Sequence, residues 1–302
     1  MHLLPSKNTH QYFRGNLHGH SNHSDGALNP QDVVNKYKQV GYDFTCLSDH
    51  LWKGSKFAAE TVLDIKNLNQ KDFITIPSAE LHCRGKKYIR DGLWHIVANG
   101  LPLDFKCADE KETAPRLVQR AIEAGAFVTI AHPEWYSLTF DECLSLSHAH
   151  GIEIYNHSCH IEAQRGFGTA AADYLLQENN RIFLTATDDS HFKMQDSGGG
   201  WVMVAADKLS ESSILNALKN GQYYSSTGVE IFEFEINNYQ VNIQCSPSNQ
   251  VCVVGQGAKS MSQNGKNITK AEFDLKKYPS EWFRAVSYTH LRAHETREDR
   301  VW

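Results

Sequence analysis

The 302-residue chain has no long apolar run, no cysteine pair at metal-clip spacing and no surplus of basic residues. No stretch is apolar enough to cross a bilayer as a helix, so no membrane partner is expected. The opening Met1-His2-Leu3-Leu4-Pro5-Ser6-Lys7 lacks the charged start and apolar core of a signal peptide, and a cytoplasmic location is expected. Seven cysteines (Cys46, Cys83, Cys107, Cys143, Cys159, Cys245, Cys252) form no CxxC pair. Their odd number reads as buried thiols in a reducing compartment. A formal charge of −5 offers nothing electrostatic to nucleic acid or an anionic surface. The expected partner is a small molecule. Repeats and low-complexity linkers are absent too, so the two parts of the chain are expected to pack together.

What is abundant is histidine, at sixteen residues, and its placement is uneven. From Phe13 to about Thr227, short apolar runs alternate with amphipathic segments, the rhythm of an α/β fold. Asn29-Pro30 is a helix start, Val33, Val34, Tyr37 and Val40 trace one face, and Gly41 stops it. Strands are expected at 44–47, 73–77, 93–98, 127–130, 152–155, 182–186 and 201–205. Helices are expected at 58–69, after Pro115, at 140–150, around Ala171–Leu176 and around Ile214–Leu218.

After Gly228 the pattern changes to β-type alternation at 231–236, 241–245 and 251–254, separated by Asn, Pro, Ser and Gly. The expected division is therefore 1–228 for the α/β part and 229–285 for a small, truncated β-rich appendage. Residues 286–302 stand apart. Val286-Ser287-Tyr288-Thr289-His290-Leu291-Arg292-Ala293-His294-Glu295-Thr296 back-translates to a string that resembles the transposon-end adapter of sequencing libraries. The segment is read as a non-native tail of irregular course that leaves a sheet edge unpaired, and His290 and His294 are not counted as ligands.

The ends of the expected strands carry the chemistry. In Asn16-Leu17-His18-Gly19-His20-Ser21, side chains two apart share one side of an extended segment, so His18 and His20 aim at one point. Ser24-Asp25-Gly26 returns a carboxylate just after it. Ser48-Asp49-His50, Glu80, Ala131-His132 and Asp188-Asp189-Ser190-His191 each follow a short apolar run, while His95 lies inside one. In an α/β barrel such strand ends converge on one mouth. Imidazole with carboxylate and no thiolate suits Zn²⁺, Mn²⁺ or Fe²⁺. The supply exceeds the needs of one ion, so two to three divalent metals are expected, able to share a bridging hydroxide and clamp a phosphoryl oxygen.

In this order the motifs resemble those of the PHP (polymerase and histidinol phosphatase) superfamily, and the β-rich appendage is similar to that of its carbaryl-hydrolase-like branch. The resemblance implies a distorted seven-stranded (β/α) barrel with a trinuclear metal site. Carried over by position, it gives His18, His20, Glu80 and Asp189 to one metal. It gives Glu80, His95 and His132 to a second, and Asp25, His50 and His191 to a third. It also implies a metal-dependent hydrolase, foremost a phosphoesterase of a small phosphorylated molecule. Carbamate or carboxyl ester hydrolysis and a non-catalytic metal-loaded module are the alternatives.

The remaining candidates rest on position alone. Asn156 and His157 follow a strand and are expected at the pocket, with His157 the candidate proton donor, since a ligand histidine cannot freely give one up. Arg84, Lys86, Lys87, Arg90, Lys53 and Arg165 are candidate phosphate-binding cations. Trp52, Trp135 and Tyr136 are candidate pocket walls. His23, His82, His148, His150 and His160 fit no motif and are expected at the surface or in loops.

Overall fold

A computed structural model describes residues 4, 10–87, 92–178 and 181–288. It divides the chain into a larger unit, His10–Thr227, and a smaller one holding the described residues from Gly228 onward.

The larger unit is a mixed α/β barrel. Its strands are β1 (Gln11–Asn16), β2 (Phe44–Leu47), β3 (His50–Leu51), β4 (Ile74–Arg84), β5 (Leu93–Asn99), β6 (Phe127–Ile130), β7 (Gly151–Asn156), β8 (Phe183–Thr187), β9 (Trp201–Ala206) and β10 (Tyr223–Ser226). They form one sheet in the order β10-β9-β1-β2-β4-β5-β6-β7-β8, with the short β3 beside β4. Seven of them, β1, β2 and β4 to β8, run around the barrel. The sheet nearly closes where β8 meets the continuation of β1: Asp189 N donates to His18 O at 2.8 Å and His20 N to Ser190 O at 2.8 Å. Distortion comes from β5, which runs antiparallel to both β4 and β6. β9 and β10 extend the sheet beyond β1 as antiparallel strands.

Helices α1 (Pro30–Gln39), α2 (Ala114–Glu123), α3 (Phe140–Ser145), α4 (His157–Ala163), α5 (Thr169–Gln177) and α6 (Glu211–Lys219) are the described α-helices of this unit. The Asn29 side chain accepts from Asp32 N at 3.0 Å and caps α1, whose Val33, Val34 and Tyr37 are buried. Val40 is not on that face. It is the C-cap residue and is exposed. In α2, Leu117, Val118 and Ala121 face the core, as their spacing requires.

Three expected elements differ. Residues 58–69 hold only a 3₁₀ turn, Lys66–Leu68, because the backbone spends its hydrogen bonds elsewhere. Ala59 N donates to His50 O at 2.7 Å and Trp52 N to Ala59 O at 3.0 Å, and Thr61 and Val62 add β-branched stiffness. The helix expected at 140–150 ends at Ser145. The strand expected at 73–77 instead continues to Arg84, which carries Glu80 and His82 into the sheet.

The smaller unit is an antiparallel sheet of β11 (Ile231–Asn237), β12 (Gln240–Gly255), β13 (Ser260–Asp274) and β14 (Phe283–Tyr288). Asn238 and Tyr239 both have positive φ (48° and 68°), the backbone of a two-residue hairpin turn. Pro247 falls where the β12–β13 register shifts, a place that tolerates its missing N–H. Val241, Ile243, Val251, Val253 and Phe273 are the apolar centre.

The irregular course expected from Val286 does not begin there. Val286 pairs with Cys252, Ser287 with Val251 and Tyr288 with Gln250. β11 covers only the first half of β12, so the second half offers backbone partners to any extended segment. Strand pairing uses the main chain, and Val and Tyr suit it. Residues 289–302, with His290 and His294, lie outside the described residues.

Candidate metal centre

The barrel brings all nine motif residues to one place. Glycine makes the approach of the first motif possible: a Cβ on Gly19 would sit 2.9 Å from Asn16 Nδ2 and 3.1 Å from Ser190 Oγ. Gly26 lets the next loop fold against the His20 backbone, where a Cβ would meet carbonyl atoms at 2.9 Å. That loop is pinned by Asp49, whose carboxylate accepts from the backbone N–H and hydroxyl of both Ser21 and Ser24. Asp49 therefore shapes the loop, and its neighbour His50 faces the cluster.

Glu80, fully buried on β4, is the centre of the arrangement. Its Oε1 lies 2.6 Å from His95 Nδ1 and 3.2 Å from His132 Nε2. Its Oε2 lies 2.6 Å from His50 Nδ1, 3.5 Å from His18 Nε2 and 3.6 Å from His20 Nε2. Asp189 Oδ1 stands 2.9 Å from His20 Nε2 and 3.2 Å from His18 Nε2. Asp25 Oδ1 stands 3.4 Å from His50 Nε2 and 3.3 Å from His191 Nε2. Two of these residues hold unusual backbone: φ is 54° at Asp189 and 21° at His132. Such conformations cost energy and gather at functional positions.

These residues fit divalent cations. With metal–ligand bonds of 2.0–2.2 Å, neighbouring tetrahedral ligands stand about 3.3–3.6 Å apart. That is the spacing of His18 and His20 to Glu80 and of His50 and His191 to Asp25. His18 Nε2, Asp25 Oδ1 and Glu80 Oε2 are buried without hydrogen-bond partners, although each faces other ligand-type atoms. Buried polar atoms are normally satisfied, and a shared cation would satisfy all three. Ligand atoms cluster as His18/His20/Glu80, His18/His132/Asp189, Glu80/His95/His132, His50/Glu80/His82 and His20/Asp25/His50/His191.

Charge is balanced within the cluster. Burial pushes the Glu80 and Asp189 carboxyls up, but the surrounding imidazoles outweigh it and hold both well below the usual carboxylate range. Burial and the neighbouring His191 and His50 lower His20 to about 3. His191 goes the other way, to about 9, because Asp25 and Asp189 outweigh burial.

Two participants were hidden in the sequence. Glu153, on β7, takes His18 Nδ1 at 2.7 Å and accepts from the His132 backbone N–H at 2.7 Å. It fixes the ring that presents Nε2 to the cluster, the outer carboxylate expected behind a metal-binding histidine. His82, expected at the surface or in a loop, is buried on β4 with Nε2 2.8 Å from His50 Nδ1. Its signal was the period of two: Glu80 and His82 share one face of a strand.

The cluster floors a cavity of about 410 Å³ whose walls include Trp52, Phe57, Trp135, Met194 and Lys193. His157 is not among its lining residues. Its Nδ1 meets Tyr155 Oη at 2.9 Å, and its ring packs on Gly199. Asn156 takes the site-facing position instead, its Nδ2 donating to Glu153 and to Asp189, both at 3.0 Å. The chain turns from β7 into α4 between these two residues. Asn156 caps the helix, its Oδ1 accepting from Cys159 N at 3.0 Å, and His157 opens the helix with its ring directed to Tyr155 and Gly199.

The expected cations are placed elsewhere as well. Lys86 is buried, with Nζ 3.1 Å from Glu142. Arg84 lies over the Trp52 ring. Arg90 lies outside the described residues, and Lys53, Lys87 and Arg165 are exposed and do not line the cavity. Lys193, which the sequence did not single out, reaches Asp25 Oδ2 at 2.9 Å. Tyr136 is buried beneath His95 and His132 and is not a wall.

The fold is of the PHP type: a nearly closed α/β barrel followed by a small β sheet. It is shared with a two-domain protein from Bacteroides vulgatus ATCC 8482 that contains a predicted PHP-like metal-dependent phosphoesterase. That alignment has a TM-score of 0.54 and 19% identity, and it covers 95% of this chain and 89% of the other. A candidate metal-dependent phosphoesterase from Bifidobacterium adolescentis ATCC 15703 aligns at TM-score 0.44 and 13% identity, over 68% of this chain and 96% of its own. An amidohydrolase from Chromobacterium violaceum, with bound sulfate and no metal, aligns at TM-score 0.42 and 15% identity, over 60% and 89%. No family profile and no curated protein matches the sequence.

Proposed function

We propose that the protein is a metal-dependent hydrolase of the PHP superfamily, carbaryl-hydrolase-like branch. Its favoured substrate is a small phosphorylated molecule. The carrying observation is the set of nine imidazoles and carboxylates centred on Glu80, six buried and Asp25, His50 and His191 half-buried, with partnerless ligand atoms facing one another. His18, His20, Glu80 and Asp189 would hold one ion, Glu80, His95 and His132 a second, and Asp25, His50 and His191 a third. Two to three divalent ions there (Mn²⁺, Zn²⁺ or Fe²⁺) supply an activated water nucleophile and Lewis-acid stabilisation of the developing charge.

The chain's own residues orient and enclose. Glu153 and Asn156 hold His18 and Asp189 in place, and the His191 Nδ1 contact to the Asp189 carbonyl at 3.0 Å leaves Nε2 turned to Asp25. Trp52 and Trp135 wall the cavity, and Lys193 stands at Asp25, where it can meet an anionic group.

A carbamate or carboxyl ester is the second reading. It is favoured by one observation: Lys193 is the single lysine, and no arginine appears, among the described residues lining the cavity. Seven free cysteines support a reducing, cytoplasmic setting, and no described helix is long and apolar enough to cross a membrane.

The test is a substrate panel of phosphomonoesters, phosphodiesters, aryl carbamates and carboxyl esters with Mn²⁺-loaded protein, before and after chelation. Metal-dependent phosphoester turnover is expected. Turnover confined to carbamates or esters selects the second reading. Tight small-molecule binding with no turnover of any class would replace both with a metal-loaded binding module.

A further inference from the structure

His82 belongs to none of the three ligand sets, yet its ring stands with His50 and Glu80 in one group of ligand-type atoms, Nε2 lying 2.8 Å from His50 Nδ1. Its position follows from two registers. It lies two residues beyond Glu80 on β4 and directly opposite His95 on β5, so all three side chains share one face. The ring is almost wholly buried, and both of its nitrogens have partners. Nδ1 lies 3.0 Å from the Trp94 carbonyl oxygen, which only accepts, so Nδ1 carries the proton and donates it. In the neutral ring Nε2 is then an acceptor, and it faces His50 Nδ1 at 2.8 Å.

The second contact constrains His50. With an acceptor at His82 Nε2, 2.8 Å away, His50 Nδ1 carries a proton, and the Glu80 carboxylate beside it, too poorly aligned to accept that proton, favours it by charge alone. The lone pair of His50 is thereby left on Nε2, the nitrogen that faces Asp25 Oδ1 at 3.4 Å. Asp25 Oδ1 is one of the buried oxygens without a hydrogen-bond partner. Glu80 cannot do this work alone, because its Oε2 also faces His18 and His20 and is the atom best placed to serve a cation there.

We infer that His82 is a positioning residue: a relay from the Trp94 carbonyl through His82 to His50 sets the His50 tautomer and ring angle for the Asp25/His50/His191 metal. This rests on the metal reading above but needs no substrate to test. Outer partners of this kind are worth about ten- to hundredfold in metal affinity when removed.

The experiment titrates Mn²⁺ into metal-stripped full-length protein, reads bound metal by mass spectrometry of the elements, and compares wild type, H82L and H82Q. Leucine can neither donate to Trp94 nor accept from His50, whereas glutamine can do both. In H82L the weakest metal is expected to bind about ten- to hundredfold less tightly with the tighter metals unchanged, and H82Q is expected to restore most of the loss. A merely structural role would lower the melting temperature without changing one metal class selectively.

Wild-type protein labelled with ¹⁵N-histidine and loaded with Zn²⁺ gives a reading that needs no variant to fold. Long-range ¹H–¹⁵N spectra should show Nδ1-protonated rings for both His82 and His50. H82L binding every metal as wild type does, H82Q failing as fully as H82L, or a His82 protonated on Nε2 would each overturn the relay. A wild type that takes up no divalent metal would overturn the metal reading itself, whereas unchanged uptake in H82L overturns the relay alone.

Discussion

The barrel unit and the β appendage solve the problem of an interior in opposite ways. Inside the appendage the buried residues are Val241, Ile243, Val251, Val253, Phe273 and their like, and Ser248 is the one buried polar residue among those described there. The barrel buries His18, His20, Glu80, His82, His95, His132, Glu153 and Asp189 together. An apolar interior stabilises without further partners. A buried ionisable cluster costs folding energy unless each charge is paired or bound to metal. The barrel gathers most of that cost in one cluster, on and just beyond its strands, and builds ordinary apolar clusters behind it. The difference locates the ligand-type side chains: the barrel carries them, and the appendage is held by strand pairing and apolar packing.

The sharpest way to break this contrast is Glu80→Gln. The substitution keeps the volume but replaces one shared carboxylate oxygen with an amide donor, aimed at imidazole nitrogens on both sides. At least one equivalent of metal should be lost, and turnover should fall by on the order of a hundredfold or more, above the range for outer partners. Elemental analysis and steady-state rates check it. Full metal content with full turnover would remove Glu80 from the centre of the site.

Most of this site was legible because its residues sit where short apolar runs stop. His18, His20, Asp25, His50, Glu80, His132, Asp189 and His191 each follow such a run, and convergence of strand ends does the rest. Glu153 and His82 were not legible for the converse reason: both lie inside strands, where a polar residue in an alternating pattern reads as solvent-facing. Their partners are fixed by barrel closure, as with Glu153 and His18, 135 positions apart. His157 failed because the chain leaves the strand there: Asn156 ends β7 facing the site and caps α4, and His157 is already the first helical residue. The helix expected at 58–69 failed because pairing with the His50–Leu51 segment claimed its backbone, and no local propensity reports that.

A second test asks whether the buried charges are matched to metal. In the metal-free protein His191 is raised to about 9 by Asp25 and Asp189, against burial, so it is an imidazolium at neutral pH. Its stabilising contribution is fully present below the ordinary histidine value near 6.5 and fades as pH rises toward 9. Metal binding requires neutral rings, so uptake at pH 7.5 should expel a proton from His191 and tighten as pH rises. Further release is expected from His18 and His132, which the neighbouring carboxylates also raise against burial. His20, lowered to about 3, already lacks its proton there and should release none. Calorimetric titration in buffers of different ionisation enthalpy counts the protons. A binding heat independent of buffer would show that the Asp25–His191 pair is not part of a metal site.

The smallest effect on the site should come from the largest disturbance of the appendage. Ile243 is buried among Val241, Val251, Val253 and Phe273, so Ile243→Ala removes packing that no neighbour can replace without moving. Truncations of this kind cost about 2–5 kcal/mol, depending on how far the cavity collapses. The loss should appear where the packing was, as faster amide exchange in β12 and β13 of the full-length protein. Exchange in β4 and β5 should not change, and neither should metal content or turnover. Unequal exchange with an intact metal complement would sharpen the contrast, because an apolar centre would have been weakened without touching the polar one. Loss of metal from the Ile243→Ala protein would break it and make the appendage part of what holds the ligand cluster together.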